Sequence, residues 1–324
     1  MKTPIRPDQN TLQLVLKINR QIVLWALLIL LSGGLNAQEE AHSALLKGPY
    51  LGQKPPGMNP EIFARGVIST FAQEGSCSFS ADGNLFLFVR AGAEIDGIMI
   101  MEQINGVWTE PHLAPFSVGD YDWDFVLAPG ENRVYFASGR PLHAGGDPQP
   151  YHSIWQTELR QNTWSEPQLL PSVINSGSHD SFPSVTSNGT LYFFSRRAGG
   201  LGKSDLYRSK RSNGAYKKVE NLGSPINTEY SDLDAFIDPE ERYIIFASNR
   251  PGGYGEDDFY ISFRDDDSWT KPVNMGSKFN SPAHEYIPYV TPDKKYLFFT
   301  SNKSGNREIY WVDAQVIDSL KPDP

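Results

Sequence analysis

Carboxylates and imidazoles recur at one phase of a repeating pattern, and that phase is where chemistry is expected. Glu74, Asp122-Trp-Asp124, His179-Asp180, Asp232-Leu-Asp234 and His284-Glu285 each precede or open a short apolar strand. If those strands radiate from one axis, Asp122, Asp180, Asp232 and Glu285 converge on a common mouth. Converging carboxylates hold a divalent cation or attract a basic partner. They equally serve as acceptors for backbone N–H groups at strand ends. His179 and His284 each stand beside an acid. Two imidazoles facing one channel are candidate ligands for a transition metal, with His143 or His152 as a third. A divalent cation is the only cofactor these residues imply.

A second set of candidates lies in loops that should open on the same face. Arg140, Arg196, Arg197, Arg250 and Lys303 stand in them, beside Gly199-Gly-Leu-Gly202 and Gly252-Gly-Tyr-Gly255. Arg197 and Arg250 are placed to read a charged sugar or a peptide carboxylate. Local salt bridges to Asp205, Asp257 or Asp258 account for them as well. Neither glycine cluster opens a helix after a strand, so neither is a nucleotide fingerprint. The sequence has no Gly-x-Ser-x-Gly elbow, no His-Glu-x-x-His and no ordered Ser-His-Asp set.

The elements that must position these residues repeat five times. A turn of Asp, Asn or Gly leads into an aromatic-rich strand, as in Ser80-Ala-Asp-Gly-Asn-Leu-Phe-Leu-Phe88 and Pro292-Asp-Lys-Lys-Tyr-Leu-Phe-Phe299. The final Phe recurs at 88, 136, 194, 246 and 299, at spacings of 48, 58, 52 and 53. Strand periodicity at that repeat length predicts propeller blades of four strands. Strand one precedes the turn, and strand two is the aromatic run. Strand three should end in Ile154-Trp155, Leu206-Tyr207, Phe259-Tyr260 or Ile309-Tyr310. Strand four carries Trp108-Thr-Glu-Pro, Trp164-Ser-Glu-Pro or Trp269-Thr-Lys-Pro, with Tyr216 in the Trp place once. Proline after the Trp suits an edge strand, where a missing N–H costs no ladder bond. The matched aromatics are expected to pack between blades. The last unit stops after its third strand, and Ile62 to Thr70 is a strand with no blade of its own. Pairing the two would close the ring. The prediction is an all-β propeller of five four-stranded blades, or six if residues 46–70 hold more strand.

Composition bounds the rest. The chain has 324 residues, 29 Lys and Arg against 38 Asp and Glu, and one cysteine, Cys77. One cysteine excludes a disulfide framework and a cysteine-based metal site. The acidic balance argues against nucleic acid as a partner. Lys2, Arg6, Lys17 and Arg20, the apolar run Ile22 to Leu31 and the small residues before Ala37 follow the order of a cleavable export signal. The run is short for a membrane span. Removing residues 1–37 takes away four basic residues and one acid, leaving 25 against 37. The expected organisation is a signal at 1–37, an extension at 38–61, the propeller at 62–316 and a tail at 317–324. The expected location is the bacterial periplasm or exterior, as a monomer not integral to the membrane once cleaved.

The repeats resemble the PD40, or WD40-like, propeller repeats of TolB and other exported bacterial proteins. The residues that carry the likeness are Thr291-Pro-Asp293, Ala81-Asp-Gly83 and the Ser248-Asn-Arg250 loop. Lys294 departs from the turn glycine of the pattern, and Glu240-Glu241 depart from Asp-Gly. The resemblance spans most of the chain after the leader. It implies a propeller whose relatives include partner-binding and glycan-active proteins, and no helical peptidoglycan-binding domain is expected after the repeats. Fold leaves function open. One reading is a non-enzymatic binding or protein-interaction scaffold of the cell envelope, its partner an envelope protein or a glycan. The other is a glycan-active enzyme, a metal-assisted uronide lyase or a hydrolase, centred on the His/Asp ring. In the lyase, His179 and His284 share one metal, and Arg197 or Arg250 neutralises a uronate. A third histidine clustered with them would favour the enzyme; scattered histidines would favour the scaffold.

Overall fold

The computed structural model describes residues 46–119 and 121–321. The leader at 1–37 lies outside the described residues. Two units are distinguished, Met1–Gly52 and Gln53–Pro324. The described part of the first contains a 3-10 turn at Pro49–Gly52. The second is a five-bladed β-propeller.

Blade 1 holds Gln73–Phe79, Leu85–Ala91 and Gly97–Ile104; blade 2 holds Asp122–Leu127, Arg133–Ser138 and Ser153–Arg160. Blade 3 holds Asp180–Val185, Leu191–Ser195 and Asp205–Ser209; blade 4 holds Asp232–Ile237, Tyr243–Ser248 and Asp258–Asp265. Blade 5 holds Glu285–Val290, Tyr296–Ser301 and Glu308–Asp313. All neighbours are antiparallel, in chain order from inside outwards. The middle strands are buried along their length, as in Tyr243–Ser248. A strand covered on both faces has no polar side to alternate with.

The outer strand is split where its proline falls. In blade 1, Val107–Trp108 and His112–Leu113 both pair with the third strand, on either side of Pro111. Blades 2 and 4 repeat the break around Pro167 and Pro272. Proline cannot donate to the ladder, so the pairing stops and resumes. The tryptophans ahead of the break pack inward. Trp108 and Trp269 are buried, and half-buried Trp164 meets Phe116 edge-on at 4.8 Å.

The turn between the first and second strands needs one left-handed residue. Gly83, Gly130 and Gly189 supply it in blades 1 to 3. Glu241 and Lys294, the departures from the repeat pattern, adopt the same conformation, with φ of 55° and 60°. The turn of blade 3 is one residue shorter: Asp180 pairs with Ser195, fifteen residues on, where Asp232 pairs with Ser248. Phe193, not the expected Phe194, therefore takes the place of Phe136 and Phe246. Phe194 faces the next blade with Ile244 and Phe246. The apolar–aromatic pairs of the third strand sit near its start and not at its end, as Ile154-Trp155 does in Ser153–Arg160.

The N-terminal segment pairs with the last blade over two residues, Glu61 with Trp311 and Ile62 with Tyr310. The expected strand to Thr70 does not form. Ala64 and Gly66 take positive φ, and the chain turns back with Gly66 N–H donating to Ser69 O. Phe63 is the anchor: fully buried, it meets Phe298 and Trp311 at 5.0 Å and Phe86 of blade 1 at 5.8 Å. Deleting residues 38–72 removes this wedge and bares the edge of Glu308–Asp313. Aggregation and a lower melting temperature are expected by light scattering and thermal unfolding. A monomer with unchanged melting temperature would show that the ring does not depend on this pairing.

Candidate functional site

The first residue or two of each inner strand carries one buried carboxylate: Glu74, Asp122, Asp180, Asp232 and Glu285, all fully inaccessible. A bare carboxylate there would be costly, and each is met by donors of its own blade and of the link that leads into it. Asp180 accepts from Ser176 N–H and Oγ at 2.7 and 2.8 Å, from Ser195 Oγ at 2.6 Å and from Arg197 at 2.9 Å. Asp232 repeats this with Thr228, Ser248 and Arg250. Asp122 takes Val118 N–H, Ser117 Oγ and a bidentate contact from one Arg140 nitrogen. Glu285 accepts from Ser281 and Ser301, and Glu74 from Thr70.

The cation of each set lies on aromatic faces from strands two and three. Arg197 sits over Phe193 and Tyr207 at 5.2 and 4.9 Å, and Arg250 over Phe246 and Tyr260 at 5.1 and 4.8 Å. Lys303 replaces the arginine in blade 5, over Phe299 and Tyr310. Burial lowers the Lys303 ammonium below its usual range and raises the carboxyls of Glu74 and Glu285. Of the expected site residues, Asp122, Asp180, Asp232 and Glu285 are thus held inside their blades. Arg197 and Arg250 are the partners of two of them, not of Asp205 or Asp258. Asp205 and Asp258 instead take backbone N–H groups of the glycine loops, from Leu201, Gly202 and Tyr254.

Two residues past each carboxylate the inner strand bulges. Ser76, Asp124, Phe182, Asp234 and Ile287 all have positive φ, between 23° and 62°. The ladder shifts register there in every blade. Such strain at non-glycine residues marks a place where backbone re-aims side chains. Contacts between blades that are not neighbours show the new aim to be the central channel. Arg307 of blade 5 lies over Trp123 of blade 2 at 5.3 Å. Asp234 of blade 4 feels the charges of Asp124 of blade 2 and of Asp257.

The channel mouth therefore gathers Asp124, Asp234 and Asp257 with His152, His284, Tyr286 and Arg307. Asp124 accepts from Ser181 Oγ at 2.9 Å. His284 Nδ1 meets Asp257 at 2.7 Å and its ring stacks on Tyr286. His179 stacks against His152, 4.6 Å between centroids, and takes His152 N–H on Nδ1. His179 thus contacts His152, and His284 contacts Asp257 and Tyr286. Among the described residues, no three His, Cys, Asp or Glu side chains are grouped to hold a metal ion. Burial, with His152 and Arg196 nearby, brings the His179 imidazole down to about 4, and burial lowers His152 as well. Burial pushes the Asp124 carboxyl up against the opposing pull of His152. Asp234 is driven well up by burial and by the like charges of Asp124 and Asp257.

Large apolar side chains stand exposed around this mouth. Phe71, Tyr121 and Tyr230 precede inner strands, while Leu142, Leu201 and Tyr254 lie in loops between second and third strands. Asp124, Asp234, Trp123 and Arg307 are the residues that the repeat pattern passed over or gave no distinct role. Their signal was faint: Asp-x-Asp in two repeats where the others have Glu-x-Ser, Asp-x-Phe and Glu-x-Ile.

Similar solved structures share the propeller. TolB from Acinetobacter baumannii superposes with a TM-score of 0.52 at 14% identity, over 77% of this chain and 54% of that one. This chain spans about half the length of that TolB. A putative TolB from Agrobacterium tumefaciens gives 0.47 at 16% identity, over 72% and 71% of the two chains. An alpha-L-arabinofuranosidase from Lactobacillus brevis gives 0.48 at 13%, over 76% and 91%. At these identities the likeness is one of fold. No family model and no curated protein matches the chain. No helix among the described residues is long and apolar enough to cross a membrane.

Two expectations follow. Asp180→Ala strands the Arg197 guanidinium and the Ser176 donors, and should cost about 3–5 kcal/mol by urea denaturation; a loss under about 1 kcal/mol would free Asp180 for a ligand role. Asp234 works the other way. Its folded carboxyl holds its proton more tightly than the unfolded one, so stability is lost as pH rises from the unfolded value to the folded one. Asp234→Asn should therefore gain on the wild type as pH rises above the ordinary Asp range of about 4 in parallel urea titrations. A difference constant with pH would overturn the repulsion.

Proposed function

We propose that the chain is an exported binding scaffold that takes a protein partner on the face where its channel opens. The observation that carries this is the mouth itself: exposed aromatic and aliphatic loop residues ring an acidic channel. Exposed apolar groups gathered on one face are what an interface requires, and aromatic side chains dominate interface energetics. Export follows from the charged, apolar and small-residue order of residues 1–37, and places the partner in the bacterial envelope or exterior. The PD40-like turns and the Ser-x-Arg latch support a relation to partner-binding propellers.

A photo-crosslinking residue placed at Leu201 or Tyr254 should give an adduct of defined mass in the producing cells. The same residue at Val107 or Val273, exposed on outer strands, should give none. Equal labelling at both sets, or labelling at the outer set alone, would move the interface off the mouth. The second reading, a glycan hydrolase, draws on Asp234, a carboxyl whose hold on its proton is strengthened by burial and by two neighbouring acids, as a general acid requires. Hydrolysis of aryl glycosides that vanishes in Asp234→Asn would replace the scaffold with that enzyme.

A further inference from the structure

Asp234 stands out from every other carboxylate of the channel. It is 8% exposed, yet accepts no hydrogen bond and forms no ion pair among the described residues. Its neighbours do not compensate it. Asp124 has Ser181, and Asp257 has His284. Arg307, the cation that reaches Asp124 and Tyr286 through space, is spent on the face of Trp123, and its Nε is buried without a partner. Three carboxylates thus meet one guanidinium, and burial keeps His152 neutral near pH 7. A buried carboxyl in this position either keeps its proton or, when ionised, is completed by a positively charged donor.

The kind of cation is set by the walls. Asp234 and Asp257 come from blade 4 and Asp124 from blade 2, and among the described residues they are not grouped as a metal-binding set. The rings of Trp123 and Tyr286 line the same space, and aromatic faces attract organic cations. We propose that the channel mouth is a socket for one guanidinium or ammonium group, an arginine or lysine side chain of the partner, which pairs with Asp234 and Asp257. This rests on the scaffold reading and names the chemistry of its partner. Engagement requires ionised Asp234, so affinity falls as the medium is acidified through that residue's elevated range. The charged and titratable groups around it are Asp124, Asp257, His152, His284, Tyr286 and Arg307.

The test uses the whole chain and N-acetyl-argininamide as probe, followed by calorimetry and by tryptophan fluorescence, since Trp123 borders the socket. Saturable 1:1 binding is expected at pH 8, with none for the neutral N-acetyl-glutaminamide. Affinity should drop at least tenfold in Asp234→Asn and should fall steadily as the pH is lowered, while Glu229→Gln, an exposed acid on the same face, leaves it unchanged. Asp234→Asn should fold at least as well as wild type, so loss of binding cannot be laid to unfolding. Equal binding of the neutral amide, full affinity in Asp234→Asn, or no binding at all would overturn the socket. Displacement of the probe by equimolar calcium would overturn it in favour of a metal site. If the Leu201 and Tyr254 adducts persist in a chain that binds no probe, the socket alone fails. If those adducts are absent from the wild type, the scaffold reading fails with it.

Discussion

The structure depends on a carboxylate placed, five times, where it cannot remain unpaired. Glu74, Asp122, Asp180, Asp232 and Glu285 are cut off from water at the end of the innermost strands. An unpaired charge there would cost several kcal/mol, so the surrounding chain is organised to supply donors. At Asp180 and Asp232 the set is complete: the Ser or Thr four residues earlier comes from the link between blades, the Ser at the end of strand two from the neighbouring strand, and the Arg from the loop after it, while the other three carboxylates keep part of it. Three separate stretches are thereby pinned to one atom pair. The aromatic faces beneath the arginine then join the second and third strands to the same knot.

The link between blades is held on both sides by two consecutive side chains. Asn175 clamps Ile154 of blade 2 with Oδ1 and Nδ2, and Ser176 next to it serves Asp180 of blade 3. Asn227 with Thr228, and Asn280 with Ser281, do the same for the following pairs. The amide side chain imitates an extra strand and takes the ladder bonds of the preceding blade. The hydroxyl beside it begins the latch of the next. Blade spacing is in this way set by covalent neighbours and not by core packing alone.

The latch also decides what faces the channel. Because each carboxylate is fixed, the bulge two residues later has a fixed place, and its side chain is delivered to the axis. Ser76, Phe182 and Ile287 make that delivery neutral, while Asp124 and Asp234 make it charged. The acids that maintain the ring and the acids that face the channel are different residues with opposite energetics. The first set is satisfied and stabilises the fold. The second is under-satisfied, which is the usual condition of a group kept for binding.

The sequence by itself determined the architecture. Repeat length, aromatic strands, turn residues and Trp-x-x-Pro edges all express local chemistry: what a strand buries, what a turn requires, where proline is tolerated. Even Glu241 and Lys294, which break the turn pattern, keep its conformation, because the flanking strands impose it. The matched phase of the carboxylates was legible too, as was the Ser-x-Arg loop. What one-dimensional spacing could not decide was which acid of each Asp-x-Asp pair faces the axis. In an unbroken strand residues i and i+2 share a side, so Asp122 with Asp124, and Asp232 with Asp234, look equivalent. The bulge breaks that equivalence by turning one backbone unit through positive φ. It sends the first acid into the blade and the second to the channel. The partnerships of Arg307 with Trp123, and of His284 with Asp257, were equally out of reach, since they join stretches that meet only once the blades are arranged around a common axis.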